Sequence, residues 1–156
     1  MKVLMDSDCL IKLTKAGLKE EICKQFEIFI PFTVRKEVVD AGKSKGLPDA
    51  ELVEKNIQND FVRITGKVSS VHLKGDQALI EIFKQGRYEL IATDDAKLIR
   101  LLKSINIPYI LPGLFIYFLY QRNIVNRATA MNWLEKISIL ISEDEHSMMK
   151  FLLEGE

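Results

Sequence analysis

The sequence predicts an α/β fold, a three-layer α/β/α sandwich around a central, mostly parallel sheet. Three observations carry this. Short apolar runs of strand length recur along the chain, and most are followed by a segment with helical spacing. Helices between successive strands serve as crossover connections, which parallel neighbours require. The 156 residues, 47% of them hydrophobic, suffice for one domain with a sizeable core.

Taken in order, KVLM (Lys2 to Met5) is the first strand, ended by Asp6. Cys9 to Phe26 has helical spacing broken at Gly17 and predicts two short helices. EIFI (Glu27 to Ile30) is the second strand, closed by Pro31; a helix follows, capped by Thr33 and ended at Gly42. KSKGLP reads as a loop, the next helix starts at Asp49, and FVRIT (Phe61 to Thr65) has strand composition. A helix runs from Asp76 to a stop at Gly86, with Ala78, Leu79, Ile82 and Phe83 on one face. ELIAT, DAKLIRLLKSIN and PYIL give a strand, a helix and a final strand. PGLFIYFLYQRN and NRATAMNWLEKISILI close the domain with two helices, so residues 1–140 form the domain and 141–156 an acidic tail. The tail carries apolar Met148, Met149, Phe151, Leu152 and Leu153; it is either a last packed helix or a segment that needs a partner.

Composition excludes several classes. Lys+Arg and Asp+Glu stand at 22 each, so a nucleic-acid partner would have to meet a local basic surface. Cys9 and Cys23 lie in apolar helical patterns and read as reduced core thiols. The polar Asp6-Ser7-Asp8 stands where a signal peptide would be apolar. The apolar stretch from Ile107 to Tyr120 is too short to span a bilayer and is interrupted by Pro108 and Pro112. A cytoplasmic protein without membrane contact is expected.

The stretch ELIATDDAKLIRLL raises the functional question, because Thr93, Asp94 and Asp95 follow one strand. A helix cap needs only one of them. In a parallel sheet, strand ends and the starts of the following helices share one edge, where ligands bind. Asp6, Glu37, Asp76 and the pair Asp94 and Asp95 all fall at that edge. They are either independent caps and surface charges or a cluster whose repulsion needs compensation. A divalent cation is the usual compensation, and oxygen ligands select Mg²⁺ or Mn²⁺. His72 and His146 lack partners at zinc-ligand spacing, no Gly-rich phosphate loop follows the first strand, and no Gly-x-Ser-x-Gly elbow is present. Metal-assisted hydrolysis of a phosphodiester remains.

The segments VLMDSDCLIKL, IPFTVRKEVV, LKGDQALIEIF and IATDDAKLIRLLKSINIPYI, in that order, resemble the PIN-domain family of metal-dependent nucleases. The resemblance spans roughly Met1 to Trp133. It implies an endoribonuclease with catalytic residues Asp6, Glu37, Asp76 and Asp95, and with Asp6, Asp76, Asp95 and Asp94 as ligands of Mg²⁺ or Mn²⁺. Ser7 matches the family's small hydroxyl residue. Asp76 stands where the family has Glu or Asp, and the choice between Asp94 and Asp95 as main ligand stays open. The resemblance also implies an RNA substrate, a role either as the toxin of a toxin–antitoxin pair with an antitoxin partner or in RNA processing and decay, and a homodimer using Leu114 to Tyr120.

RNA phosphates would be met by Lys or Arg near this rim: Lys12, Arg35, Lys36, Lys43, Lys45 or Lys74. LFIYFLY keeps no polar face and reads as core or subunit interface rather than a base-stacking platform. Two competing classes stand beside the nuclease: an RNA-processing or interaction protein with a PIN-like fold and no significant catalysis, and a small-molecule phosphohydrolase. DSD at residues 6–8 superficially suits the latter, but the other segments fit the nuclease better.

Overall fold

A computed structural model describes residues 1–66 and 75–155. Among these residues five strands form one all-parallel sheet in the order β3-β2-β1-β4-β5. The strands are β1 (Lys2–Met5), β2 (Glu27–Pro31), β3 (Val62–Thr65), β4 (Leu90–Ala92) and β5 (Tyr109–Ile110). Between β1 and β2 lie α1 (Ser7–Lys15) and α2 (Lys19–Gln25). Between β2 and β3 lie α3 (Phe32–Arg35), a π turn (Lys36–Asp40), α4 (Ala41–Ser44) and α5 (Pro48–Gln58). Helix α6 (Asp76–Gln85) precedes β4, and α7 (Ala96–Ser104) joins β4 to β5. Then come α8 (Leu114–Gln121), α9 (Arg127–Ile137), a 3₁₀ turn (Ser138–Leu140) and α10 (Glu143–Glu154).

The period-two alternation of the strands divides the core into two layers. Val3, Met5, Ile28, Ile30, Ala92 and Ile110 join Leu10 and Leu13 of α1, Phe115 of α8, Leu134 of α9 and Met149 of α10. Leu4 and Ile91 pack on the other face with Leu79 and Ile82 of α6 and Leu98 and Leu102 of α7. The fold is therefore the α/β/α sandwich with a parallel sheet that the alternating strands and helices predict. Among the described residues no helix is long and apolar enough to cross a membrane.

Several local expectations are corrected. Thr33 does not cap the helix after β2; Pro31 occupies the cap position, without a side-chain hydrogen bond. Gly42 does not end it either, for α4 continues to Ser44. Gly42 is buried, and a Cβ there would stand 2.8 Å from the Cβ of Ala50, so the glycine admits α5. Helix α5 begins at Pro48, whose fixed φ suits the first helical position, one residue before Asp49. In LFIYFLY, as its apolar composition predicts, Phe115, Ile116 and Leu119 join the core at 1% exposure or less, while Leu114, Tyr117, Phe118 and Tyr120 are partly buried. His72 and Lys74 lie outside the described residues.

Candidate functional site

The carboxyl edge of the sheet holds a cavity of about 110 Å³ lined by Asp6, Ser7, Asp8, Pro31, Thr33, Val34, Glu37, Gly75, Asp76, Leu79 and Asp95. Four carboxylates singled out in the sequence, those of Asp6, Glu37, Asp76 and Asp95, thus face one space from separate segments. Asp94 does not line it.

Asp6 is fixed from both sides. Its amide donates to the Ala92 carbonyl at 3.1 Å, carrying the β1–β4 pairing one residue past the strand. One carboxylate oxygen, Oδ1, accepts from the Cys9 amide at 2.8 Å and caps α1. The other, Oδ2, accepts from the Thr93 hydroxyl. Burial pushes the Asp6 carboxyl up to about 7; the hydrogen bonds from Thr93 and Cys9 act against this, and the Asp94 and Asp8 charges reinforce it.

Thr93 was not singled out as a functional residue, yet it links the two sides of the cavity. It is fully buried. Its amide donates to the Ile110 carbonyl at 3.0 Å, and its Oγ1 accepts from the Asp95 amide at 3.1 Å while the hydroxyl donates to Asp6. The signal in the sequence is a hydroxyl residue two positions before the acid that starts a helix. Asp8 is a further lining carboxylate that sequence reasoning passed over.

Asp95 caps α7, with Oδ1 accepting from the Leu98 amide at 2.7 Å. Its Oδ2 has no hydrogen-bond partner among the described residues. Asp76 opens α6 directly after Gly75, whose φ of 54° a side chain would disfavour. Glu37 stands on the π turn, where the widened backbone hydrogen bonding shifts side chains relative to a regular helix. The first turns of α1, α6 and α7 all border the cavity, so their free amides and partial positive charge temper the repulsion among the acids.

The donor set is hard oxygen throughout, which suits Mg²⁺ or Mn²⁺ rather than zinc. Among the described residues, no three Asp, Glu, His or Cys side chains converge closely enough to enclose a cation by themselves. Mg²⁺ commonly takes one or two carboxylates and retains several waters, so the donor set fits a partly hydrated ion.

Asp94 belongs to a different environment. It forms an ion pair with Lys12 of α1, the two side chains being 12% and 27% exposed. Burial alone would lower the Lys12 ammonium, but the hydrogen bond and charge of Asp94 raise it. Asp94 lines a second cavity, of about 560 Å³, with Ala96, Ile99, Arg100, Leu111, Ser142, Asp144, Glu145 and Met148. There Glu145 is only 4% exposed, and its Oε1 accepts from the Gly113 amide at 2.7 Å. Burial pushes Glu145 up to about 7; the Gly113 bond opposes this, Asp94 adds to it and Lys12 reduces it.

Of the basic residues near the rim, Arg35 pairs with Asp40 at 3.5 Å and Lys43 pairs with Glu54. Lys36 lies over the Phe32 ring, 5.4 Å from its centroid. Lys45 is exposed.

A family model described as a PIN domain matches residues 2–154. No curated protein matches the chain.

Proposed function

The chain belongs to the PIN-domain family, whose members are generally nucleases, and from that premise we propose that it is a metal-dependent endoribonuclease. One observation carries this reading: carboxylates from four separate segments face one cavity at the carboxyl edge of a parallel sheet.

In this reading Asp6 and Asp95 are the principal ligands of Mg²⁺ or Mn²⁺. Asp6 is held by two hydrogen bonds, and Asp95 keeps one oxygen without a partner. Asp76 and Glu37 complete the acidic wall and hold the ion's waters. When bound, the cation supplies Lewis-acid activation of water and of the phosphate oxygens. Thr93 is a positioning residue, tying the Asp6 carboxylate to the Asp95 amide so that neither drifts as charge develops. The amides at the starts of α1, α6 and α7 favour an RNA phosphate entering the cavity. Exposed Lys36 and Lys45 extend the phosphate contacts beyond the rim. Asp94, paired with Lys12, supports the turn and is not a principal ligand.

Incubating a mixed RNA pool with the protein, with Mg²⁺, Mn²⁺ or EDTA, tests the reading. Divalent-dependent internal cleavage supports it; RNA left intact under every condition refutes it. The spacing of the carboxylates favours a second reading, a PIN-like interaction protein without significant catalysis. Intact RNA together with RNA binding would select that reading.

Two extensions go with the nuclease. As the toxin of a toxin–antitoxin pair, the chain should arrest growth on expression and be relieved by the product of a small adjacent reading frame. An RNA-processing enzyme should do neither. For self-association, Ile139 at 88% exposure and Phe151 at 74% offer an apolar surface that the buried face of α8 does not. Sedimentation of a monomer at about 10–50 μM would remove the homodimer.

A further inference from the structure

The second cavity sits beside the acidic one, at the same edge of the sheet, and the turn Thr93-Asp94-Asp95 divides them. Asp95 faces the first and Asp94 the second. At about 560 Å³ it falls within the range of small-molecule pockets, roughly 300–1,000 Å³. Its walls combine apolar Ile99, Leu111 and Met148 with a few convergent polar groups. The most telling of these is Glu145. It is 96% shielded from solvent, its Oε1 accepts from Gly113, and its Oε2 has no hydrogen-bond partner among the described residues. Oε2 keeps some solvent contact through the cavity, so a donor entering there can reach it.

The packing behind Glu145 fixes its position. A Cβ on Gly113 would stand 3.0 Å from both Glu145 Oε1 and Met149 Cγ, so a glycine there admits the carboxylate. Arg100 lies at the opening, exposed and with no ion-pair partner among the described residues.

We propose that this cavity is a nucleobase subsite that reads guanine in the RNA strand lying across the acidic cavity. The proposal rests on the nuclease reading for its substrate class. Among the four bases of RNA, guanine presents two adjacent donors, N1–H and N2–H, on one edge, and Glu145 with Asp94 supplies the acceptors. Cytosine and adenine each bring a single exocyclic amine to that edge, and uracil a single ring N–H. The flat faces of the base would lie between Met148 and the Ile99 and Leu111 side chains, as extruded bases do between apolar walls. Arg100 would take the adjoining phosphate.

The test uses the full chain in EDTA, so that binding is read without cleavage, with the 5′-monophosphates of guanosine, adenosine, cytidine and uridine as probes. Chemical shifts of the Gly113 amide report on Glu145 directly. Guanosine monophosphate should bind at least about tenfold more tightly than the others, the discrimination expected of a two-donor contact. The Gly113 resonance should move on binding. Glu145→Gln, which replaces one acceptor by a donor, should bring guanosine to within about twofold of adenosine. Met148→Trp, which fills the cavity and spares the carboxylate, should abolish binding of all four. Equal affinity for the four nucleotides, or shifts confined to the Cys9 and Leu98 amides of the acidic cavity, would overturn the proposal. So would an arginine-containing peptide that binds the cavity while guanosine monophosphate does not; it would assign the cavity to a protein partner. RNA cleavage without guanine binding refutes the subsite and leaves the nuclease, whereas guanine binding without cleavage does the reverse.

Discussion

Replacing Glu145 by Gln removes a charge and keeps a side-chain oxygen for the Gly113 amide. In the native protein this carboxyl is pushed up from the ordinary glutamate value of 4.5 to about 7, first by burial. At about 1.4 kcal/mol per pKa unit, that displacement corresponds to at most about 3–4 kcal/mol. The folded-state pKa lies above the unfolded one, so the fold prefers the protonated group. That preference is fully present below about pH 4.5 and is lost as the pH rises through about 7. Glu145→Gln, which is neutral throughout, should therefore match the wild type near pH 4.5 and exceed it at pH 8 by about 1–3 kcal/mol. In a chain of this size that is roughly 3–10 °C in melting temperature. Asp6 titrates in the same interval, so the informative quantity is the variant minus the wild type at each pH, followed by circular dichroism in EDTA. A variant destabilised equally at both pH values, or indistinguishable from wild type at pH 8, would show that Glu145 is not held as a strained buried carboxylate.

Other substitutions probe separate links. Gly42→Ala places a Cβ 2.8 Å from that of Ala50, well inside ordinary contact, and should cost about 1–3 kcal/mol in urea unfolding despite alanine's better helix propensity. Asp95→Ser retains a cap for α7 while removing the carboxylate. Its metal-free stability should stay within about 0.5 kcal/mol of wild type, while the Mn²⁺-induced thermal shift shrinks by half or more. Lys12→Met leaves Asp94 half-buried without its partner and should cost about 1–2 kcal/mol, between the values for exposed and buried pairs, when unfolding is followed in EDTA.

The sheet was legible because its strands are continuous apolar runs ended by punctuating residues. Asp6 after Met5 and Pro31 after Ile30 mark where pairing ends. The gathering of Asp6, Glu37, Asp76 and Asp95 at one cavity follows from a topological rule, since parallel strands and crossovers bring those positions to one edge. What stayed hidden depends on contacts distant in sequence. Gly42 looks like a helix stop until α5 is seen packing on it, and Thr33 looks like a cap until the cavity is seen beside it. The adjacent acids Asp94 and Asp95 are indistinguishable by composition. Only Lys12, 82 residues from Asp94, tells them apart: it pairs with Asp94, the one that lines the second cavity. The local Thr93–Asp95 spacing is visible in the sequence, but nothing local announces that Thr93 also reaches Asp6, because that contact exists only once β1 and β4 pair.

The central claim is that a divalent cation held at Asp6 cleaves RNA, and Asp6→Asn tests it most directly. The amide retains the carboxylate's shape and an oxygen for the Cys9 amide but loses the charge that holds the cation. Wild type and variant are compared on a single-stranded RNA pool with Mg²⁺ or Mn²⁺, each checked for folding by thermal unfolding in EDTA. The account predicts cation-dependent cleavage by the wild type, about 100-fold or more slower in a folded variant. Undiminished cleavage by a folded Asp6→Asn protein, or wild-type cleavage that persists in EDTA, would contradict it.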